Sequence, residues 1–276
     1  MLLAVLCVTI MSVQAKLVGI EYHAAQITFV RAIVVLIFLF PLIYKLGGLN
    51  FLKTNKPILH FFRGVAGLTG NIMFFLAFQR LPVADVTVIS QAVPIFASIL
   101  AIIFLKETIG WRRWLAIIVG FLGVIIAINP TGQIAVASIY ALGGTIMWSV
   151  TIIFLRLLGS TEHPVKTVFY FMLVSFIITF FFQPFLWKQP TLEVMFLFIG
   201  IGLAAFLTQL LMTYALQKAS ASIVSPFNYT GIIWAIIFDY LIWNSHPVFT
   251  TILGGVIITI SGIYIFRREA KFKKIR

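Results

Sequence analysis

The second half of this 276-residue chain repeats the first half after a shift of 138 residues. Residues 77–80 (AFQR) then lie over residues 215–218 (ALQK), and Asn71 lies over Gln209. Each half contains five apolar segments of about 20 residues, the length that crosses a bilayer as a helix. Because five is an odd number, the two copies must cross the membrane in opposite directions. Inverted repeats of this kind are typical of transporters that bind their substrate near the membrane midplane.

The composition excludes a soluble protein. Hydrophobic residues make up 62% of the chain and charged residues only 10%, too little charge to cover the surface of a soluble domain. The apolar segments show no two-residue alternation, which favours helices over barrel strands. The predicted spans are residues 2–18, 24–44, 58–79, 83–105, 111–128, 135–157, 165–186, 192–216, 221–243 and 248–266. We therefore expect an all-α integral membrane protein of ten transmembrane helices, arranged as two inverted five-helix repeats over residues 1–130 and 131–276.

The basic residues indicate the orientation. If both termini lie in the cytoplasm, 16 of the 20 Lys and Arg residues fall on that side and 4 on the opposite side. Cytoplasmic loops of membrane proteins carry such an excess. We expect a multi-pass protein of the bacterial inner membrane, with a basic tail at residues 267–274 that contacts anionic lipid rather than nucleic acid. No basic residue precedes the first apolar segment, which favours a span there over a cleaved signal peptide.

The sequence carries no motif for catalysis or metal binding. Cys7 is the single cysteine, and the four histidines are scattered without the spacing of metal ligands. His-Glu-x-x-His, Gly-x-Ser-x-Gly and phosphate-loop motifs are absent from the sequence. We therefore expect no enzyme activity, no cofactor and no metal.

Polar residues lie within several apolar spans. Thr87 and Gln91 are one helical turn apart in the fourth span, and Asn228 and Tyr229 occupy the corresponding part of the ninth. Such residues line a cavity or join helices by hydrogen bonds. Aromatic rings placed among them would suit a cationic or flat aromatic substrate, with core packing as the alternative. The predicted substrate-binding residues are Gln14, Lys16, Asn71, Thr87, Gln91, Trp148, Tyr170, Gln209, Thr213, Asn228, Tyr229 and Trp234.

Three ionisable residues within spans are predicted to serve coupling or gating. Arg31 lies about 12 Å deep in the second span at 1.5 Å per residue, and a charge there is costly unless it pairs or reaches the interface. Asp85 and Asp239, near the outer ends of the fourth and ninth spans, are the carboxylates placed for proton coupling. The alternatives are that Arg31 extends to the interface beside Glu21 and that Asp85 stabilises a helix amino terminus.

A set of short motifs carries a family resemblance over nearly the whole chain. They are FVR at 29–31, RG at 63–64, PVADVT at 82–87, PIF at 94–96, FLKE at 104–107, WRRW at 111–114, VGFLG at 119–123, ASASIVSP at 219–226 and GG at 254–255. With these motifs the chain resembles the EamA-type ten-helix branch of the drug/metabolite transporter superfamily. The resemblance implies a central cavity lined mainly by helices 1, 3, 4, 6, 8 and 9, with helices 5 and 10 as scaffold. The chain departs from the family at residues 243–245 (WNS), where a Gly-Glu pair is usual.

Within the family, residues 52–64, 82–90 and 105–111 are similar to bacterial S-adenosylmethionine uptake transporters. This likeness implies a secondary carrier of a small organic metabolite that works by alternating access in the lipid bilayer, with S-adenosylmethionine as the favoured substrate. An exporter of amino acids or drugs is the alternative within the family, and a non-transporting membrane scaffold is the alternative outside it. The sequence leaves open a homodimer, the coupling ion and the direction of transport.

Overall fold

The computed structural model describes residues 1–106, 110–128, 136–158, 162–218 and 225–273, without the side chains at 213, 216–218, 225, 266 and 268–273. Every regular element in these residues is helical. The α-helices are α1 (Leu2–Val18), α2 (Ala24–Lys45), α3 (Pro57–Phe78), α4 (Val83–Ser90), α5 (Val93–Leu105), α6 (Trp111–Ile128), α7 (Val136–Leu158), α8 (Pro164–Leu186), α9 (Leu192–Lys218), α10 (Thr230–Trp243) and α11 (Phe249–Lys273). Short 3₁₀ turns cover Gly48–Leu52 and Ser225–Tyr229.

These helices account for the predicted membrane spans. Within the described residues, seven helical segments are long and apolar enough to cross a bilayer, among them α4 and α5 taken together, and Leu2–Val18 and Phe249–Ile265 are shorter apolar helices. The fourth span is interrupted between Ser90 and Val93 because Pro94, in the first turn of α5, cannot donate a helical hydrogen bond to the preceding turn. The start of the predicted ninth span and the predicted repeat boundary at residue 130 lie outside the described residues, so that boundary stays a prediction.

Helix pairing is the same when the two halves of the chain are exchanged. Helix α1 packs on α9, and α7, the counterpart of α1, packs on α3, the counterpart of α9. The pairs α2 with α8, α4 with α10 and α6 with α11 join counterparts directly, and the pair α2 with α9 is matched by α8 with α3. This exchange symmetry is what a two-fold relation between the halves requires.

The two halves run in opposite directions through the bundle. His23 and His163 cap the starts of α2 and α8 in the same way, each accepting a backbone N–H through Nδ1, at 3.1 Å and 3.2 Å. Lys188, just after α8, contacts Gln26 at the start of α2. The end of α8 therefore lies at the start of α2, and the repeats are inverted. The two ends of the bundle are called here the Glu21 face and the Glu162 face, after a residue at each.

Glycines allow the closest helix contacts. A Cβ atom at Gly254 of α11 would lie 2.6 Å from the backbone of Gly123 in α6, so only glycine fits where these helices cross. At Gly67 of α3 a Cβ would lie 2.8 Å from the ring of Phe171 in α8. The first contact fixes the scaffold pair α6 and α11, and the second brings α8 against the interior face of α3.

Candidate functional site

One face of α3 points into the bundle. Arg63, Gly67, Asn71 and Phe75 follow each other at intervals of four residues, which aligns them along one side of a helix. All four are buried. The Asn71 Nδ2 donates a hydrogen bond to the carbonyl of Gly67 at 2.9 Å, so this predicted substrate residue is bonded within its own helix.

Two arginines meet beside this face. Arg31 of α2 and Arg63 of α3 are 4% and 3% exposed. The Arg63 guanidinium lies 4.5 Å from the ring centre of Phe171, and that of Arg31 lies 5.9 Å from the rings of both Phe171 and Phe75. Arg63 Nη1 donates to the carbonyl of Thr167 at 3.0 Å. Arg31 does not extend to the interface beside Glu21, because its guanidinium lies among these interior rings.

Polar residues of the fourth and ninth spans are joined by a hydrogen bond, which is one of the two alternatives that the sequence leaves open. Gln91 Nε2 donates to the backbone carbonyl of Asn228 at 3.1 Å. Thr87 and Gln91 both lie against Gly231 at the start of α10. The hydroxyl of Tyr229 is buried against Gly262 of α11. The structure therefore brings three of the predicted substrate residues, Thr87, Gln91 and Asn228, to the start of α10, whereas the hydroxyl of Tyr229 packs against α11.

Lys16 and Asp239, predicted for substrate binding and coupling respectively, form an ion pair. Lys16 Nζ lies 3.2 Å from Asp239 Oδ1 and 4.1 Å above the ring of Trp243. Asp239 Oδ2 accepts the backbone N–H of Ala84 at 2.7 Å, in the first turn of α4. Asp85 lies in the same turn, and its Oδ1 is buried without a hydrogen-bond partner. Asp85 thus lies at a helix amino terminus, as its alternative interpretation predicts, and Asp239 of α10 binds the same helix start.

The other predicted substrate residues are more dispersed. Gln14 of α1 places its side chain against Gly200 of α9, with its Oε1 buried and without a hydrogen-bond partner. Trp148 lies on α7 against Gly70 of α3, and Trp234 is half-buried on α10. The side chain of Thr213 lies outside the described residues.

Tyr170 and Gln209 lie apart from the polar interior. The hydroxyl of Tyr170 donates to the carbonyl of Leu52 at 2.7 Å, near the Glu162 face rather than at mid-span. Gln209 lines a groove of about 210 Å³ whose walls include Leu39, Phe206 and Tyr214. A second groove, of about 390 Å³, lies between α6 and α11. Exposed side chains line both grooves, Tyr214 the first and Trp111 the second, so both grooves open toward the outside of the bundle.

The Glu21 face is closed by contacts between the two repeats. Lys188 Nζ lies 2.7 Å from Glu21 Oε2, and the backbone of Lys188 exchanges two hydrogen bonds with the side chain of Gln26. The hydrogen bond from Lys188 lowers the pKa of the Glu21 carboxyl. We call Glu21, Gln26 and Lys188 the Glu21 latch.

The Glu162 face is closed by the symmetry-related connections. Thr54 Oγ1 donates to Glu162 Oε1 at 2.6 Å, and Lys166 Nζ lies 3.0 Å from Glu162 Oε2. Burial would raise the pKa of Glu162, but the hydrogen bonds from Thr54 and Lys166 outweigh it and leave the pKa lowered. His60 Nε2 lies 3.7 Å from the same carboxylate. We call Thr54, Glu162 and Lys166 the Glu162 latch.

Sequence reasoning missed several residues of this interior. Arg63 entered it only as part of a family motif, and Phe171, Phe75 and Glu162 not at all. The four-residue spacing of Arg63, Gly67, Asn71 and Phe75 is a signal that could have found the interior face of α3. Glu162 and Phe171 show no signal of their own, because their partners lie in distant parts of the sequence.

Comparisons with known proteins agree on one family. The model of the EamA-like transporter family matches residues 1–129 and 135–267. An S-adenosylmethionine uptake transporter of Rickettsia bellii is 30% identical over 94% of this chain and 89% of its own length. A pseudopaline exporter of Pseudomonas aeruginosa is 27% identical over 95% of this chain and 92% of its own.

A solved crystal structure shares the fold, with a TM-score of 0.63 at 12% identity over 95% of both chains. The matched family consists of transporters rather than enzymes, and the model covers nearly all of the chain. The chain therefore belongs to the EamA-like transporter family and is a multi-pass membrane transporter of a small molecule.

Proposed function

We propose that this protein takes up S-adenosylmethionine across the bacterial inner membrane. The observation that carries the proposal is the similarity to the Rickettsia bellii S-adenosylmethionine uptake transporter, which extends over 94% of the chain. The amides of Asn71 and Gln91 and the hydroxyl of Tyr229 are groups of the kind that could bind the adenine and amino-acid parts of this substrate.

Alternating access accounts for the pairs of contacts at the two faces. Each latch joins one repeat to the other at an equivalent place: Lys188, after α8, meets Glu21 before α2, and Thr54, after α2, meets Glu162 before α8. A carrier must open one face while it keeps the other closed. We infer that each latch breaks in turn as the repeats rock about the arginines of the interior.

The orientation follows from the charges near each face. Lys53, Lys56 and Lys166 cluster at the Glu162 face, whereas Lys188 is at the Glu21 face. Under the positive-inside rule the Glu162 face lies in the cytoplasm, and both chain termini lie there too. We expect a small-molecule substrate and the lipid bilayer as partners, and no nucleic acid.

Uptake into proteoliposomes tests the substrate. Purified protein is reconstituted, and the entry of labelled S-adenosylmethionine is measured against empty vesicles and against a panel of unlabelled competitors. We expect saturable uptake that S-adenosylhomocysteine inhibits and unrelated sugars do not. If uptake does not exceed that of empty vesicles, or if no sulfonium or adenine compound inhibits it, the proposed substrate is refuted and the family assignment stays intact.

Export is the second candidate, favoured by the similarity to the pseudopaline exporter. Two sets of vesicles under an inward proton gradient discriminate the two directions, one with labelled S-adenosylmethionine outside and one loaded with it. Accumulation of the external label supports uptake. Gradient-driven efflux of the internal label supports export. A non-transporting scaffold would show neither.

A further inference from the structure

Arg31 and Arg63 place two positive charges inside the bundle. Both guanidinium groups lie against the ring of Phe171, at 5.9 Å and 4.5 Å from its centre, and the two groups are close enough to repel each other. Each arginine is more than nine-tenths buried. Arginines within a membrane span are costly, so such a pair calls for a compensating charge.

The described part of the chain supplies no such charge. The ion pairs of its carboxylates are Asp239 with Lys16, Glu21 with Lys188, and Glu162 with Lys166 and His60. Neither interior arginine takes part in any of them. The Nε atoms of Arg31 and Arg63 are both buried without a hydrogen-bond partner. Two donors aimed into the interior are thus left for a ligand.

The inverted repeat shows that packing alone does not demand these charges. Arg31 follows the cap His23 by the same eight residues that separate Phe171 from the cap His163. At the position of Arg31 the second repeat therefore carries Phe171, an apolar residue. The 138-residue shift places the buried Ile201 over Arg63. Both charges belong to the first repeat, and their apolar counterparts fill the equivalent places.

We propose that Arg31 and Arg63 bind the carboxylate of the transported metabolite. The inference rests on the proposed function in requiring that a substrate enters the bundle, but it specifies the chemical class: an organic carboxylate, such as the amino-acid end of S-adenosylmethionine. Asn71 lies two helical turns from Arg63 on the same face of α3 and supplies a neutral amide for the adjoining amino group.

The chemistry of the donors supports this assignment. A guanidinium presents a planar fork of N–H donors that matches a carboxylate, and such charge-assisted hydrogen bonds are stronger than neutral ones. A carboxylate beside Phe171 would be attracted by both arginines and would neutralise their repulsion. In a water-poor interior each of these hydrogen bonds contributes roughly 10- to 100-fold to affinity.

Ligand-induced stabilisation of the purified full-length protein tests the inference without relying on transport. The probes are pairs that differ in the carboxylate: S-adenosylmethionine with its decarboxylated form, and methionine and other amino acids with their carboxamides. For each pair we compare the ligand concentrations that give half-maximal stabilisation. For the wild type we expect the ratio of the partner's concentration to that of the carboxylate to be about ten or more. Arg31→Gln and Arg63→Gln should bring that ratio close to one, while Arg31→Lys and Arg63→Lys should retain part of it.

Arg80→Gln is the matched control, because it removes an exposed cation just beyond the other end of α3. It should leave the ratio unchanged. The inference is overturned if no carboxylate in the panel stabilises the wild type, if the decarboxylated partners bind the wild type equally well, or if the preference survives in both glutamine variants. The wild type could instead prefer a different carboxylate, lose that preference in the arginine variants and show no S-adenosylmethionine uptake. This result would refute the proposed substrate and support the carboxylate site.

Discussion

The Nζ atom of Lys16 lies 3.2 Å from Oδ1 of Asp239, and this ion pair joins α1 to α10 near the Glu21 face. The second oxygen of Asp239 accepts the backbone N–H of Ala84 at the start of α4. One carboxylate thus ties together three helices from both repeats. Since any opening of the Glu21 face moves the repeats relative to each other, these bonds belong to the closed arrangement.

The pair predicts strong coupling between its two members. Asp239→Asn keeps an oxygen for the Ala84 amide but leaves the mostly buried Lys16 without a counter-charge, which costs about 3–5 kcal/mol in buried sites. Lys16→Met combined with Asp239→Asn should recover part of that loss. A double-mutant cycle on unfolding of the purified protein should give a coupling of about 0.5–3 kcal/mol. Additive effects of the two substitutions would contradict the pair.

Gly262 and Tyr229 predict a steric conflict. A Cβ atom at Gly262 would collide with the Tyr229 hydroxyl, so Gly262→Ala should destabilise the protein by about 1–3 kcal/mol, as overpacking does. Removing the hydroxyl with Tyr229→Phe should relieve most of this loss. Gly110→Ala is the control, since nothing lies within 4 Å of the added atom. Equal melting temperatures for Gly262→Ala and the wild type would show that α11 does not approach Tyr229 as described.

The Glu162 latch predicts a loss of stability in acid. Burial raises the pKa of Glu162, but hydrogen bonds from Thr54 and Lys166 outweigh this effect and lower the pKa below its ordinary 4.5. The contribution of ionised Glu162 to the free energy of unfolding is therefore complete above pH 4.5, and it disappears as the pH falls through the lowered pKa. The melting temperature of the wild type should exceed that of Glu162→Gln at neutral pH, and the two should converge in acid. Glu21→Gln serves as the exposed control and should change little at any pH. A gap that widens in acid would reverse the assigned sign.

Alanine substitutions at Gln91 and Gln209 are predicted to reduce uptake by different amounts. Gln91→Ala removes the bond to the Asn228 carbonyl inside the bundle, whereas Gln209→Ala changes a groove on its outside. We expect Gln91→Ala to reduce uptake of labelled substrate several-fold and Gln209→Ala to reduce it less. The reverse order would place the substrate path along the outer groove.

The sequence predicted the repeat, the spans and their inversion because each depends on local composition and on counting. Apolar length and helical periodicity are properties of neighbouring residues, and an odd number of spans dictates the inversion. It also identified Arg31 as a costly charge within an apolar segment, and Lys16 and Asp239 as candidate site residues. What it could not give is their pairing, since Lys16 and Asp239 are separated by 223 positions and meet only through packing.

The pairing of the interior polar residues lay beyond the sequence for the same reason. Gln91 and Asn228 could line a cavity or join their helices, and the structure joins them directly. Periodicity shows which side of a helix is polar and not how far that side stands from its neighbour. Arg63 was passed over because it lies near a span end, where basic residues are ordinary, and only tertiary packing shows that it is buried.

Cross-linking each latch tests the central claim, that the two faces open in turn to move a substrate. In a Cys7→Ser background, Glu21→Cys with Lys188→Cys, and separately Thr54→Cys with Glu162→Cys, are joined by a short, reducible bifunctional thiol reagent in reconstituted vesicles. The account predicts that either cross-link alone stops S-adenosylmethionine uptake and that reduction restores it. Uptake at the full rate with either face cross-linked would contradict it.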